Sequence, residues 1–285
     1  MKRLFGIFSA MVFVFFVFTG CEKKSESQPV SEMTVQEQPV TITVGGSTSV
    51  NPLMEMFIAE YSKNNSNVTF TVSATGSGDG IKGAAENTYE IGMSSRELSP
   101  AEIGTGIDGL IIAIDGIAVI INNANPVNSL STDQIKDIYT GAVTRWEELG
   151  ASANGKTGSI AVVSREPGSG TRGAFEEILK FQDQLVRGAI EFDGTGAIKA
   201  EVSRNVDAVG YISLGSLDSG IKALNVDGVA ATTENVVAGT YLIARPFILV
   251  TKKNITIRPQ TQAFLDWIMG NEGQSIVASS WIRVN

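Results

Sequence analysis

The sequence predicts an α/β protein of two lobes joined by two crossover strands, and three observations carry that expectation. Strand-like runs pass repeatedly into loops of glycine and hydroxyl residues and then into helix starts. Two long apolar runs, at 110–122 and 241–251, have the length to leave one lobe and return to it. A helical pattern at 261–273, carried by Phe264, Leu265, Trp267 and Ile268, follows the second run and completes the first lobe.

The chain opens with Lys2 and Arg3, an almost wholly apolar stretch over 4–18, and then Thr19-Gly20-Cys21. That apolar length suits a secretory signal and is short for a membrane span. Cys21 is the sole cysteine, so no intramolecular disulfide can form. Its place directly after small residues is like that of the lipid-modified cysteine of bacterial lipoproteins; the plainer alternative is a signal cut elsewhere and a free thiol. Residues 1–20 are read as a lipoprotein signal peptide. Residues 21–39, rich in Lys, Glu, Ser, Gln and Pro, are read as a flexible tether.

The folded part follows as 40–118 (first part of lobe I), 119–243 (lobe II) and 244–285 (second part of lobe I). Val40-Thr41-Ile42-Thr43-Val44 alternates as a strand and runs into Gly45-Gly46-Ser47-Thr48-Ser49. Asn51-Pro52 is expected to supply the N-cap and first helical residue of the helix through Leu53 and Phe57. A second strand, Val68-Thr69-Phe70-Thr71-Val72, leads to Gly76-Ser77-Gly78-Asp79-Gly80 and a helix expected from Ile81. The run 110–122 is nearly continuous and apolar, with a bend expected at Asp115-Gly116. Asn125-Pro126 turns the chain, and Leu130-Ser131-Thr132-Asp133 starts a helix through Ile135, Ile138 and Tyr139. A third junction comes at Val162-Val163-Ser164-Arg165, followed by Glu166-Pro167, the tight loop Gly168-Ser169-Gly170, and Thr171 opening a helix. In the second long run Pro246 interrupts the pattern. Trp146, Trp267 and Trp281 are read as core or interlobe packing.

Each junction offers hydroxyls, helix-start amides and a backbone that glycine lets approach a ligand closely. Amides, helix dipole and the Arg165 guanidinium converging on one space suit a tetrahedral oxyanion. No Gly-Lys-Ser/Thr follows the glycines, which excludes a nucleotide P-loop. Three unrelated glycine turns remain the bland alternative.

Composition excludes more. The chain has no histidine, which removes Ser-His and Cys-His nucleophile pairs, imidazole bases and the commonest metal ligand. The Ser219–Lys222 spacing lies in a Gly- and Asp-rich turn region and is a poor Ser-Lys hydrolase candidate. Net charge is −8. With Lys2 and Arg3 set aside, 20 basic residues face 30 acidic ones, about −10 for the mature chain. That balance disfavours nucleic acid as a partner, since no basic stripe offsets it. It leaves a buried anion site open, because the screening length outside is only about 8 Å.

On these residues the chain resembles the phosphate-binding proteins (PstS type) that serve phosphate ABC transporters. Similarity runs from about Thr41 to the end. It is carried by Gly46-Ser47-Thr48-Ser49, Gly76-Ser77-Gly78, Ile91-Gly92-Met93-Ser94-Ser95-Arg96, the segment 135–149, and 165–171. The resemblance implies the two-lobed periplasmic-binding-protein (Venus-flytrap) fold with crossover hinge strands. It implies phosphate binding by Thr48 (hydroxyl and amide), Ser49 (amide), Ser77, Ser95, Arg165 as guanidinium clamp, and Ser169, Gly170 and Thr171; Ser47 and Arg96 are adjacent secondary candidates. Two positions depart from the family pattern. Ser95 stands where many members have an aspartate, which accepts a proton from phosphate and repels fully ionised sulfate. Pro167 stands where many have an aspartate beside the arginine, so Glu166 is the candidate to hold Arg165. Discrimination among anions then rests on Asp79, Asp115 or Glu166, or is simply weaker.

The resulting expectation is a lipid-anchored receptor on the extracytoplasmic side of a bacterial membrane, in the periplasm or at the cell surface. It captures inorganic phosphate between its lobes and delivers it to ABC permease subunits as a monomer, without cofactor, metal or catalysis. The alternative is a receptor for sulfate or another tetrahedral oxyanion.

Overall fold

The computed structural model describes residues 39–149 and 158–285. The expected signal peptide, Cys21 and all of the expected tether except Pro39 lie outside the described residues. Strands β1 (Val40–Gly46) and β2 (Val68–Ala74) pair in parallel, with helix α1 (Asn51–Tyr61) between them in sequence. Helix α2 (Ser77–Ala85) then leads to β3 (Ile91–Ser94), parallel to β1 on its other side. The alternation has its ordinary cause: Ile42 and Val44 point into the core while Thr41 and Thr43 lie on the opposite face.

After the short capping-box helix α3 (Pro100–Ile103), β4 (Ile107–Ile121) runs for 15 residues. Lobe II follows with β5 (Ser129–Leu130), α4 (Thr132–Thr140), β6 (Ala161–Arg165), α5 (Gly170–Ile178), β7 (Ile190–Phe192), α6 (Thr195–Arg204) and β8 (Ala208–Ser213). Two short strands, β9 (Lys222–Ala223) and β10 (Asn225–Val226), and helix α7 (Thr233–Val237) precede β11 (Ala244–Lys252). Helices α8 (Pro259–Met269) and α9 (Asn271–Val277) close the chain. The large sheet has the order β2-β1-β3-β11-β4-β8-β6-β7, with β9 also on β4 and a separate β10-β5 pair.

β4 pairs with β11 from Ile107 to Gly116 and with β8 from Ile117 onward, so one strand serves both lobes. At Ile114 its amide and carbonyl bond Ile282 near the C-terminus. The Ile114–Pro246 pair is thus one whose own ladder bonds point away, and the missing proline N–H breaks nothing there.

Two main cores result. In lobe I, Leu53, Met54, Phe57 and Tyr61 of α1 pack with Phe264, Leu265 and Ile268 of α8. Rings of Tyr61, Phe70, Phe264 and Trp267 meet at centroid distances of 4.7 to 6.3 Å. In lobe II, Tyr139, Trp146, Phe175, Phe181 and Tyr211 fill the corresponding space. Trp281 belongs to the lobe I core yet rests on Gly215, where an added Cβ would lie 2.4 Å from the indole.

Three local expectations need correction. Asn51 is not the N-cap: Val50 holds that place without a side-chain bond, and Asn51 donates to Glu55. The amides of Ser49 and Val50 go instead to Ser47 Oγ. Helix α2 begins at Ser77, not Ile81, and takes in the glycines. It lies so close to the sheet that a Cβ on Gly80 would stand 2.6 Å from the Met93 carbonyl, so close packing outweighs glycine's poor helix propensity. At Asp115-Gly116, where a bend is expected, β4 stays one strand and changes neighbour from β11 to β8. The pattern over 261–273 is divided by extended Gly270 into α8 and α9, and the buried Gln274 amide bonds the carbonyls of Ile112 and Ile268.

Phe264→Ala should cost about 3–5 kcal/mol through loss of burial and a cavity among the rings. Urea unfolding followed by tryptophan fluorescence checks it; a loss below about 1 kcal/mol would contradict the packing described.

Candidate functional site

Four helices begin around one cleft, each just after a strand: α1 and α2 from lobe I, α5 and α6 from lobe II. Their first-turn amides and positive dipole ends therefore face a common volume. Between them runs a continuous chain of hydroxyls. Ser77 Oγ is 3.3 Å from Ser95 Oγ, which is 3.5 Å from Thr171 Oγ1. Thr171 Oγ1 lies 2.8 Å from Ser49 Oγ, itself 3.3 Å from Thr195 Oγ1. Thr195 reaches Thr48 at 3.4 Å, and Thr48 Oγ1 accepts from Arg165 Nη2 at 3.0 Å. The chain crosses repeatedly from one lobe to the other. Ser49, Ser77, Ser95, Arg165 and Thr171 are all at least 98 % buried.

Arg165 ends the chain with its charge already matched. Its Nε and Nη2 donate to the two carboxylate oxygens of Glu166 at 2.8 and 2.7 Å. Glu166 also accepts from the Gly194 amide at 3.4 Å. A bidentate pair fixes the guanidinium plane as well as its charge. Arg172 supports the same strand end by donating to the Arg165 carbonyl at 2.9 Å while pairing with Glu176 and Glu191. Beneath lies Tyr211, whose hydroxyl accepts from the Arg165 amide; burial pushes it up to about 12, so it stays protonated at neutral pH.

The predicted site residues thus come together with defined uses. Ser47 donates to Ser95 and accepts two amides, so its hydroxyl orders the first loop. Ser169 Oγ caps α5 by accepting from the Arg172 amide, leaving its O–H free to donate. Gly170 is the point of closest approach: a Cβ there would meet Ser77 Oγ at 2.3 Å and Ser95 Oγ at 3.0 Å. The lobes also touch through backbone, the Gly78 amide donating to the Gly168 carbonyl at 3.1 Å.

Arg96 is the exception. Its guanidinium turns to Glu102 at 2.7 Å and to the Glu97 carbonyl, away from the hydroxyls. The bond to Arg96 holds the Glu102 carboxyl down at about 2. Asp79 is exposed, and Asp115 is buried with Ser213 and Arg245. Thr195 was missed, although Asp193-Gly194-Thr195-Gly196 repeats the glycine–hydroxyl signal; the three-residue strand before it is too short to alternate visibly.

Two α/β lobes closed on a buried polar seam define a two-lobed, ligand-enclosing binding protein of the periplasmic type. The chain belongs to the PBP superfamily, whose domain model matches residues 33–272. It is 28 % identical over 253 residues to a phosphate-binding protein PstS of Borreliella burgdorferi, covering 85 % of this chain and 89 % of the relative. It is 29 % identical over 266 residues to the Bacillus subtilis protein of the same name, covering 91 % and 85 %. Among solved structures it is similar to a Clostridium perfringens protein described as a phosphate ABC transporter substrate-binding protein with bound phosphate. There the identity is 43 %, the TM-score 0.82, and coverage 86 % of this chain and 100 % of that one.

Gly170→Ala should hold the lobes apart without disturbing either core, because the nearest atoms the new methyl would meet, on Ser77 and Ser95, lie across the cleft. A larger radius of gyration by small-angle scattering, with unchanged helix content by circular dichroism, is the expected result; an unchanged radius would contradict it.

Proposed function

We propose that this chain is an extracytoplasmic receptor that captures inorganic phosphate between its lobes and delivers it to an ABC permease. One observation carries the reading: hydroxyls from both lobes form a buried seam that ends on the Arg165–Glu166 pair. Hydroxyls and helix-start amides donate to anion oxygens, and a hydroxyl oxygen also accepts the proton of a monohydrogen phosphate. Relatives named PstS and a similar structure with bound phosphate support the same choice.

The ligand contacts proposed are Thr48, Ser49, Ser77, Ser95, Arg165, Ser169, Gly170 and Thr171, with Thr195 added. Charge-assisted hydrogen bonds contribute about 1.5–3 kcal/mol each. Micromolar binding needs only about 8 kcal/mol. Dehydration of the anion and ordering of the lobes absorb the excess. Closure then serves as the signal, the permease favouring the closed shape. The lobes are proposed to divide as 40–118 with 244–285 against 119–243. A lipid on Cys21 anchors the receptor, which works as a monomer and catalyses nothing.

A second reading, a receptor for sulfate or another oxyanion, rests on one specific observation. Glu166 is the carboxylate at the seam, and Arg165 occupies both its oxygens; position 95 offers a hydroxyl instead.

Calorimetric titration of the anion-stripped full chain with phosphate and then sulfate at pH 8 separates the two. Phosphate binding that excess sulfate leaves intact is expected; comparable sulfate binding favours the second reading. Arg165→Ala should lose about a hundredfold in phosphate affinity and Thr48→Val about tenfold, with folding retained. Wild-type binding by Arg165→Ala would overturn the placement of the site.

A further inference from the structure

The hydroxyls around the cleft are not equivalent, because several already have an oxygen lone pair engaged. An N–H can only donate, so a hydroxyl that meets one accepts and keeps its own proton to give. Ser47 Oγ receives the amides of Ser49 and Val50 at 3.2 and 3.3 Å, and its proton goes to Ser95 Oγ at 2.9 Å. Ser77 Oγ receives the Ser95 amide at 3.0 Å, and Ser169 Oγ the Arg172 amide at 3.3 Å. Thr48 Oγ1 receives Arg165 Nη2 at 3.0 Å. Ser77, Ser95, Thr48 and Ser169 are thereby set to donate. They suit the bare oxygens of an anion, whichever anion it is.

Ser49, Thr171 and Thr195 differ. Among the described residues none of their side-chain oxygens receives an N–H, and each meets only other hydroxyls. Along the seam the hydroxyl contacts are 3.3 to 3.5 Å, except Ser49 Oγ to Thr171 Oγ1 at 2.8 Å. Only that one falls in the ordinary range of an O–H···O bond. Ser49 and Thr171 are a tight pair, 0 % and 1 % exposed, with one proton held between them. Whichever of the two gives that proton keeps its lone pairs for another donor. The Ser49 amide is turned back to Ser47, so Ser49 meets the cleft with its hydroxyl.

Phosphate near neutral pH carries at least one proton and sulfate carries none, so a site separates them through an acceptor that faces the anion. Glu166 is poorly placed for that task, since both its oxygens receive N–H groups of Arg165. We propose that the Ser49–Thr171 hydroxyl pair is the proton acceptor of the anion site and the element that separates phosphate from sulfate. The inference rests on the phosphate reading and assigns its selectivity to named residues. A single acceptor among donors favours the phosphate with one proton, because a second proton would face another donor. Ser49 belongs to the loop before α1 and Thr171 to α5, so the acceptor forms only when the lobes close, and the anion's proton is read at that step.

The test measures phosphate and sulfate constants at pH 8 on the anion-stripped full chain, sulfate by competition against phosphate. Wild type is compared with Ser49→Ala, Thr171→Val, Ser95→Ala and Arg165→Ala, each first checked for native circular dichroism. Thr171→Val keeps the side-chain shape and carries the test if Ser49→Ala fails to fold. The inference expects loss of either pair hydroxyl to lower the phosphate-to-sulfate affinity ratio by about tenfold. Ser95→Ala removes a donor common to both anions, so it should weaken both by similar factors and leave the ratio within about threefold. An unchanged ratio in folded Ser49→Ala and Thr171→Val, or a ratio that collapses in Ser95→Ala alone, would overturn the inference. If Arg165→Ala loses phosphate in that case, the phosphate reading stands and only the role of the pair fails. Equal wild-type affinity for the two anions would end the inference in favour of the general oxyanion receptor, and a wild type that binds neither would end both.

Discussion

β4 is one strand with two sets of neighbours, and the cleft exists because of where it exchanges them. Up to Gly116 it pairs with β11; from Ile117 it pairs with β8. The C-terminal segment occupies its free edge at Ile114 just before β8 takes over, so strand edges near the exchange are covered. Both lobes are thereby hung from neighbouring residues of one extended chain. Their strand ends, and the helices that begin there, face each other across that point.

The surface between the lobes is built almost wholly from short side chains, and that has an energetic consequence. Serine and threonine carry little rotamer entropy, so ordering them on closure costs less than ordering long polar chains. Their neighbours are glycines at the places of closest contact, above all Gly170 against Ser77 and Ser95. Charge enters the seam at Arg165, and Glu166 already matches it. The cleft can therefore bury that cation without leaving a lone charge when the ligand departs. The proposed selectivity for phosphate or sulfate then turns on those hydroxyls of the seam whose O–H can rotate to donate or accept.

Much of this was legible in the residues themselves. Alternation of Ile42 and Val44 with Thr41 and Thr43, and the glycine–hydroxyl loops at 45–49, 76–80 and 168–171, are local patterns with local causes. The helix start at Leu130-Ser131-Thr132-Asp133 is another, and the structure adds a capping box there between Ser131 and Gln134. Less legible was α2, whose glycines read as a loop because the packing that favours their helix comes from strands β1 and β3. Gly270 divided a continuous helical pattern for a similar reason: Gln274 found its partners on Ile112, far away in sequence.

Local chemistry in the sequence determined the leading strands, the glycine–hydroxyl loops at three junctions, the arginine at 165 and the absence of histidine chemistry. These depend on side-chain type and on spacing over a few residues. Tertiary structure alone decided that Thr195 joins Thr48 and Ser49, that Arg96 turns away to Glu102, and that Arg245 meets Asp115 across 130 positions. Those choices are contests among partners brought together by the change of neighbour along β4. The physical reason is that hydrogen bonds and ion pairs act over a few ångströms in space, whatever the distance along the chain.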